Sequence, residues 1–175
     1  MNAVIQAICE RRSTRKFKSD AVPKELIGQI VTAGTYAANG RGMQSTVIVA
    51  ISNREVRDRL SAANCQIGGW DPSFDPFYGA PVVLLVLADK SRPTYVYDGS
   101  LVMGELMLAA HSVGLGSCWI HRAKEEFETE EWKQWLSGQG ISGEYEGIGH
   151  CVIGYTDGEL PSPAPRKENR VFYIE

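Results

Sequence analysis

Positive charge is concentrated in one short segment near the start of the chain. The nine residues from Glu10 to Lys18 read ERRSTRKFK, and five of them are basic, although the whole chain has a net charge of −3. Arginine side chains carry forked donors that match phosphate oxygens, and Ser13 can donate a further hydrogen bond. The segment therefore predicts an anion-binding pocket. A solvated basic patch after a helix is the alternative that the spacing alone leaves open.

A second candidate segment, Ala37–Ser45, reads AANGRGMQS. Its glycines allow the backbone to approach a ligand closely. The side-chain amides of Asn39 and Gln44 carry both donors and acceptors, which suits the edge of a ring that also carries both. An ordinary loop between a helix and a strand explains the same residues, so this segment alone does not decide between the two interpretations.

A third segment, Gly114–His121, reads GLGSCWIH and has a glycine pair loosely similar to a phosphate loop. In a dinucleotide-binding fold such glycines follow a strand, whereas here they precede one, so that fold is rejected. Cys118 and His121 are three residues apart on the predicted strand, and their side chains therefore point to opposite faces. This spacing argues against a cysteine–histidine nucleophile pair.

Composition narrows the classes of function. A pI near 5.7 is unlike that of a basic nucleic-acid-binding domain, so nucleic acid is not expected as a main partner. The apolar runs are too short to span a bilayer and no signal peptide is visible, so we expect a cytoplasmic protein without a membrane partner. The sequence contains no CxxC pair and no HExxH motif, and no metal site is expected.

The acidic residues show no paired-carboxylate signature for catalysis. Asp71, Asp75 and Asp98 are predicted to be loop and cap residues. The acidic run Glu125–Glu131 is predicted to be the solvated start of a helix, a position that the helix dipole favours for negative charge.

Hydrophobic periodicity predicts one domain over residues 1–175, built from helices and a central sheet. The predicted helix at 97–113 is apolar on several sides, which indicates a central position or a subunit interface. Residues 68–79 are rich in Gly, Asp and Pro and predict a long loop of the kind that is often functional. The predicted helices cover 3–10, a segment starting near 23, 54–62, 97–113 and 126–136, and the predicted strands cover 47–51, 82–87, 115–120 and 147–154.

Three motifs together resemble the nitroreductase family. Arg11–Phe17 is similar to the family's RRSxRxF motif, and Gly114–Trp119 is similar to its GLGxxW segment. Cys151–Tyr155, followed by the pair Arg166 and Lys167, is similar to its last strand and basic tail. The order and spacing of the three agree with the family, and the resemblance covers nearly the whole chain.

The resemblance implies an α+β fold with a central mixed, mainly antiparallel β-sheet flanked by helices. It also implies a homodimer with two FMN molecules at the interface. Arg11, Ser13 and Arg166 would bind the FMN phosphate, with Lys167 as a further candidate, and Arg15 would lie near the pyrimidine side of the flavin. The backbone at Ile120–Arg122 would lie beside the flavin edge and N5. The complete candidate cofactor-binding set is Arg11, Arg12, Ser13, Arg15, Asn39, Gln44, Ile120, His121, Arg122, Arg166 and Lys167.

The chain departs from the family pattern in one motif. The family's second motif reads roughly APSxxNxQP, but here both prolines are missing, Asn39 stands at the serine and Gly42 at the asparagine. Gln44 is retained. The chain is also short for the family and has no counterpart of a large inserted lid helix. We therefore expect the loop at 68–79 to shape the pocket instead.

The function implied by the resemblance is hydride transfer from NAD(P)H through flavin N5 to a small acceptor of the nitroaromatic or quinone type. The flavin supplies the chemistry, so no catalytic acid or base is expected among the side chains. Arg15 would stabilise the negative charge of the reduced flavin. Two alternatives stay open, because a fold does not fix a function. One is a flavin-binding sensor or carrier without turnover, and the other is a flavoenzyme of different chemistry, such as dehalogenation or flavin breakdown.

Overall fold

The core of the molecule is a four-stranded sheet. The computed structural model describes residues 1–175 and contains strands β1 (Thr46–Ile51), β2 (Val82–Asp89), β3 (Gly116–Ile120) and β4 (Tyr145–Gly154). Their order in the sheet is β1-β2-β4-β3, and every neighbouring pair is antiparallel. This confirms the expected mainly antiparallel sheet, and the one parallel pairing is an isolated bridge between Ser13 and Ser117. The apolar run that predicts β2 is buried from Val82 to Ala88, as a central strand covered on both faces requires.

Helices cover both faces of the sheet. They are α1 (Ala3–Glu10), α2 (Lys24–Thr35), α3 (Arg54–Gly68), α4 (Tyr95–Ser112), α5 (Ala123–Phe127) and α6 (Glu130–Gly138). One apolar cluster joins the sheet to α2 and α4 through residues such as Ile30 and Leu106. The other joins it to α3, α5 and α6 through residues such as Leu60 and Trp132. The fold is therefore a sheet between two helical layers.

Two of the predicted helices differ from the observed ones. The helix predicted at 54–62 continues to Gly68, because it goes on burying side chains such as Cys65, and it ends where Gly69 takes a left-handed conformation at φ 67°. The helix predicted at 126–136 is two helices. The side chain of Thr129 accepts from the N–H of Trp132 and begins α6, which separates it from α5.

The prediction of a solvated acidic run was wrong at Glu126. This side chain is completely buried on α5, and its Oε2 lies 2.8 Å from Nε2 of His150 on β4, which is also completely buried. Glu126 shares its helix face with Ala123 and Phe127, so the face that meets the sheet carries one carboxylate among apolar side chains. The imidazole of His150 on β4 is the polar neighbour of this buried carboxyl group.

Helices α1 and α4 leave large apolar side chains exposed to solvent. On α1 no residue is buried, and Val4 and Ile8 are 62% and 57% exposed. Helix α4 packs closely on β4, because a Cβ at Gly99 would overlap the side chain of Ile148, yet Tyr97 on its other side is exposed. No helix of the protein is both long and apolar enough to cross a membrane.

Candidate functional site

The basic N-terminal segment is fixed beside strand β3. Arg11 ends α1, and its N–H bonds the carbonyl of Ala7. The next residues run along the outer edge of β3, where Ser13 pairs with Ser117 and the N–H of Thr14 donates to the Ser117 carbonyl at 2.9 Å. The backbone thereby sets the direction of the side chains that follow α1.

The predicted phosphate-binding residues lie together around one polar cleft of about 270 Å³. The Pro-rich connection that follows β4 forms its other wall, and Arg166 approaches the basic segment from that side. Lys167, the neighbouring candidate, does not line the cleft. The lining consists of Arg11, Arg12, Ser13, Arg15, Pro161, Ser162, Pro163, Ala164 and Arg166.

The arginines of this cleft have no negative partners within the chain. None of Arg11, Arg12, Arg15 and Arg166 lies within 4.0 Å of a carboxylate, whereas the neighbouring Lys16 pairs with Asp157 at 2.7 Å. Like charges gathered without counter-charge repel each other, so the cleft favours an anion.

Two of these arginines differ in how their donors are used. The Nη1 atom of Arg11 is buried and has no hydrogen-bond partner, and a buried donor of this kind costs free energy until a partner arrives. Arg12 instead donates from Nη1 to the carbonyls of Cys9 and Arg11, both at 2.7 Å, and so caps the end of α1. The Nε of Arg12 is also buried without a partner, so both arginines keep a donor for a ligand. Arg11 is the stronger candidate ligand because none of its side-chain donors is used within the chain.

A cysteine thiol lies beneath the cleft. Burial raises the pKa of the Cys118 thiol above its usual range, and this outweighs the opposing effects of Arg15 and Ser13. Since only the thiolate is a good nucleophile, the thiol stays protonated and unreactive near neutral pH. The arrangement of positive charge favours an anionic ligand, and it does not activate the Cys118 sulfur.

Strand β3 leads from the anion cleft to the other candidate residues. Because Ser117 uses its backbone on the outer edge, alternation places the backbone groups of Trp119 and His121 on that edge too. Ile120 pairs with His150 of β4, so its backbone faces inward, unlike the expectation that it lies open beside a ligand. The distance along the strand from Ser117 to His121 is about 13 Å at ~3.3 Å per residue.

The end of β3 is held by a residue that the sequence did not single out. Asn64 on α3 is completely buried and donates from Nδ2 to the carbonyl of His121 at 2.7 Å. An asparagine inside an amphipathic helix carries no signal of such a role. The next residue, Arg122, adopts φ 75°, which turns the chain sharply into α5.

The loop after α3, which was expected to shape the pocket, lies against this turn. The guanidinium carbon of Arg122 lies 4.4 Å from the centre of the Trp70 ring. Asp75 organises the loop, because it accepts hydrogen bonds from Arg57, Ser61 and the N–H groups of Phe77 and Gly79. Burial alone would raise the pKa of Asp75, but the bonds from Arg57 and Ser61 outweigh it and hold the pKa below its usual range.

The segment with Asn39 and Gln44 lies elsewhere. Asn39 accepts the N–H of Gln44 at 2.8 Å and donates to the carbonyl of Ala37, so its amide is occupied in its own loop. Asp98 fixes the same loop by accepting the N–H of Gly40. The prediction that Asp98 is a loop or cap residue was wrong, because it lies inside α4 and is buried against this loop. The loop leads into β1, at the opposite edge of the sheet from β3 and about 14 Å away at ~4.8 Å per strand. Within one chain the structure does not bring it to the arginine cleft.

Sequence comparisons identify a family match that covers most of the chain. A sequence model of the nitroreductase family matches residues 8–67 and 70–155. A protein of Methanothermobacter thermautotrophicus named "Putative NADH dehydrogenase/NAD(P)H nitroreductase" is 32% identical over 125 residues, which cover 66% of this chain. The chain spans 59% of the length of that relative. A protein of the same name from Archaeoglobus fulgidus is 26% identical, with 69% of this chain and 68% of the relative covered.

Comparison with solved structures confirms the fold that the sequence resemblance predicts. A nitroreductase with bound FMN from Bacteroides fragilis superposes with a TM-score of 0.89 at 24% identity, and the match covers 100% of both chains. An FMN-dependent nitroreductase from Clostridium difficile superposes with a TM-score of 0.78 at 25% identity and covers 97% of this chain and 98% of that one.

Proposed function

This chain belongs to the nitroreductase family, and on that premise we propose that it is an FMN-dependent oxidoreductase that passes hydride from NAD(P)H to a small acceptor of the nitroaromatic or quinone type. The observation that carries the proposal is the arginine cleft beside β3. The names of the curated relatives support NAD(P)H as the donor. The FMN bound in the Bacteroides fragilis structure and the FMN dependence of the Clostridium difficile protein support FMN as the cofactor.

The residues of the cleft fit a phosphate monoester. Such a group carries a charge of about −1.5 to −2 near neutral pH and offers three acceptor oxygens. Arg11, Arg15 and Arg166 supply charge without competing carboxylates, and the buried Nη1 of Arg11 gains the partner that it lacks. Ser13 adds a hydroxyl at the same wall. FMN presents a single terminal phosphate, which matches this one cluster.

Bound FMN supplies the redox chemistry by accepting and returning a hydride at N5. The chain's own residues bind and orient it. Arg11, Ser13 and Arg166 would hold the phosphate, and the outer edge of β3 would offer the backbone of Trp119 about 7 Å and that of His121 about 13 Å from Ser117. The positive charge of Arg15 stabilises the negative charge that reduction places on the ring. No side-chain acid or base takes part in this scheme.

We also propose that the protein is a homodimer whose sites combine residues of two chains. The uncovered apolar face of α1 and the exposed Tyr97 of α4 support this, because an uncovered apolar surface often marks a protein–protein contact. In a two-fold dimer the loop of Asn39 and Gln44 would serve the partner's cleft, which accounts for its distance from the cleft of its own chain. Sedimentation across a dilution series, with and without FMN, tests the association. A monomer that holds FMN and turns over at full rate would contradict it.

The experiment for the function is reconstitution followed by turnover. The purified protein is saturated with FMN, freed of excess and examined for the visible absorption of oxidised flavin. NADH and NADPH oxidation is then followed with menadione and with a nitroaromatic. Retained flavin and acceptor-dependent oxidation support the proposal. Retained flavin without turnover favours the sensor or carrier, and failure to retain flavin excludes the proposal.

A further inference from the structure

The loop at 69–79 presents a set of exposed aromatic rings. Trp70 and Phe74 are 41% and 39% exposed, and their ring centres lie 5.2 Å apart at 85° to each other. Tyr78 continues the row, with its ring centre 6.0 Å from that of Phe74. Aromatic side chains of this kind offer a large contact area for a planar ligand, with few rotatable bonds to immobilise.

These rings are held in place by the loop itself. The carboxylate of Asp75 ties Arg57, Ser61, Phe77 and Gly79 together by four hydrogen bonds. At the start of the loop the N–H of Trp70 donates to the carbonyl of Cys65 at 3.2 Å. The rings are therefore preorganised, which lowers the entropy cost of binding to them.

A cation without a counter-charge lies at one end of this row. The side chain of Arg122 makes no hydrogen bond and lies within 4.0 Å of no carboxylate, but its guanidinium group stacks 4.4 Å from the Trp70 ring. Stacking fixes the plane of the guanidinium and leaves its N–H edge free to donate to a carboxylate.

We propose that the Trp70–Phe74 rings and Arg122 form an acceptor subsite that selects planar aromatic acceptors carrying a carboxylate. The proposal rests on the proposed function, since it names the acceptor class for that same site. Arg122 follows His121 directly at the end of β3, at the far end of the strand from the arginine cleft. The acceptor ring packs on the aromatic row, and its carboxylate receives the free donors of Arg122.

The test compares two acceptors of nearly the same shape, 4-nitrobenzoate and its neutral analogue 4-nitrobenzamide. Calorimetric titration into the FMN-reconstituted protein without NAD(P)H gives the affinity for each. We expect wild type to prefer the carboxylate, Arg122→Gln to lower that preference about tenfold, and Trp70→Leu to weaken the binding of both compounds. Arg54→Gln is the matched control, because Arg54 is an exposed arginine at the start of α3 and should leave the preference unchanged.

The outcomes separate the subsite from the reaction. An affinity ratio that is the same in Arg122→Gln and wild type at equal flavin content overturns the subsite, whatever the turnover. If the wild-type protein prefers the carboxylate but shows no menadione-dependent oxidation of NADH, the proposed function is overturned instead. If Arg122→Gln does not fold, Arg122→Lys must keep part of the preference. The wild-type preference must also fall as salt is raised, and a preference that salt does not change rejects the role of the charge.

Discussion

Replacing Arg11 with alanine should weaken FMN binding, because Arg11 combines three properties that no other residue of the cleft shows together. It has no carboxylate partner, none of its side-chain nitrogens donates a hydrogen bond, and its Nη1 is buried in the cleft. The Nε of Arg12 is also buried without a partner, but Arg12 already donates from Nη1 to two carbonyls. The phosphate would be the only strong acceptor available to the Nη1 of Arg11. Alanine removes the donor and leaves the phosphate oxygen facing an apolar gap.

The magnitude follows from the type of bond. A hydrogen bond between charged groups contributes about 1.5–3 kcal/mol, and leaving the charged partner desolvated adds to the loss. The dissociation constant for FMN should therefore rise by roughly 10- to 150-fold. Arg15 and Arg166 keep part of the positive field, so binding is expected to weaken without being abolished.

Fluorescence quenching of FMN on titration with the flavin-free protein measures the effect. Arg54→Ala is the matched control, because it removes the same charge from an exposed site on α3 that is paired with Asp58. The two variants should differ by at least about tenfold in FMN affinity. Equal dissociation constants in Arg11→Ala and wild type would refute the reasoning and favour the alternative interpretation of the basic segment as a solvated patch.

Three further predictions address other parts of the molecule. Glu126→Ala should lower the free energy of unfolding by about 1–3 kcal/mol, because it leaves the buried imidazole of His150 without its polar neighbour. The exposed neighbour Glu125→Ala should change it by no more than about 0.5 kcal/mol, and equal denaturant midpoints for the two variants would contradict this. Asp75→Asn should destabilise the protein by about 1–3 kcal/mol at neutral pH. The pKa of Asp75 is lower in the folded protein than in the unfolded chain. Its contribution to the free energy of unfolding is therefore fully present above the unfolded pKa of about 3.9 and is lost as the pH falls through the folded pKa. The unfolding curves of wild type and variant should converge at that low pH. Arg15→Gln should lower the flavin reduction potential while FMN stays bound, and a potentiometric titration that shows an unchanged or raised midpoint would exclude the role of Arg15.

Much of the fold could be predicted because its elements carry strong local patterns. The continuous apolar run of β2 predicts a strand that is buried on both faces. Pro23 marks the start of α2. The helix bounds that were missed depend on contacts that lie far away in the chain. Helix α3 extends past Ala62 because Asn64 and Cys65 find buried positions there, and nothing local distinguishes them from loop residues.

The candidate site could be predicted where its residues lie in motifs that the sequence itself displays. The charge density of residues 10–18 indicates an anion pocket, and the family resemblance predicts Arg166 from the other end of the chain, which the structure places at the same cleft. Asn64 and Trp70 could not be predicted, because their roles arise from contacts with His121 and Arg122 that fold back across α3 and α5. Glu126 was misjudged for a related reason, since a run of acids resembles a solvated helix start until a buried histidine is known.

The contacts around β3 connect the stability of the core to the geometry of the site. Residues 121–122 form a turn that is bound on one side by Asn64 and leads on the other into α5, which Glu126 ties to His150 in the middle of the sheet. His150 is also the register partner of Ile120, one residue before the turn. A change that loosens the Glu126–His150 pair must therefore alter the position of His121 and Arg122 as well as the free energy of unfolding. Variants at Glu126 should consequently change acceptor affinity before they change FMN affinity, because the arginine cleft lies at the other end of the strand and is held by separate bonds to Ser117.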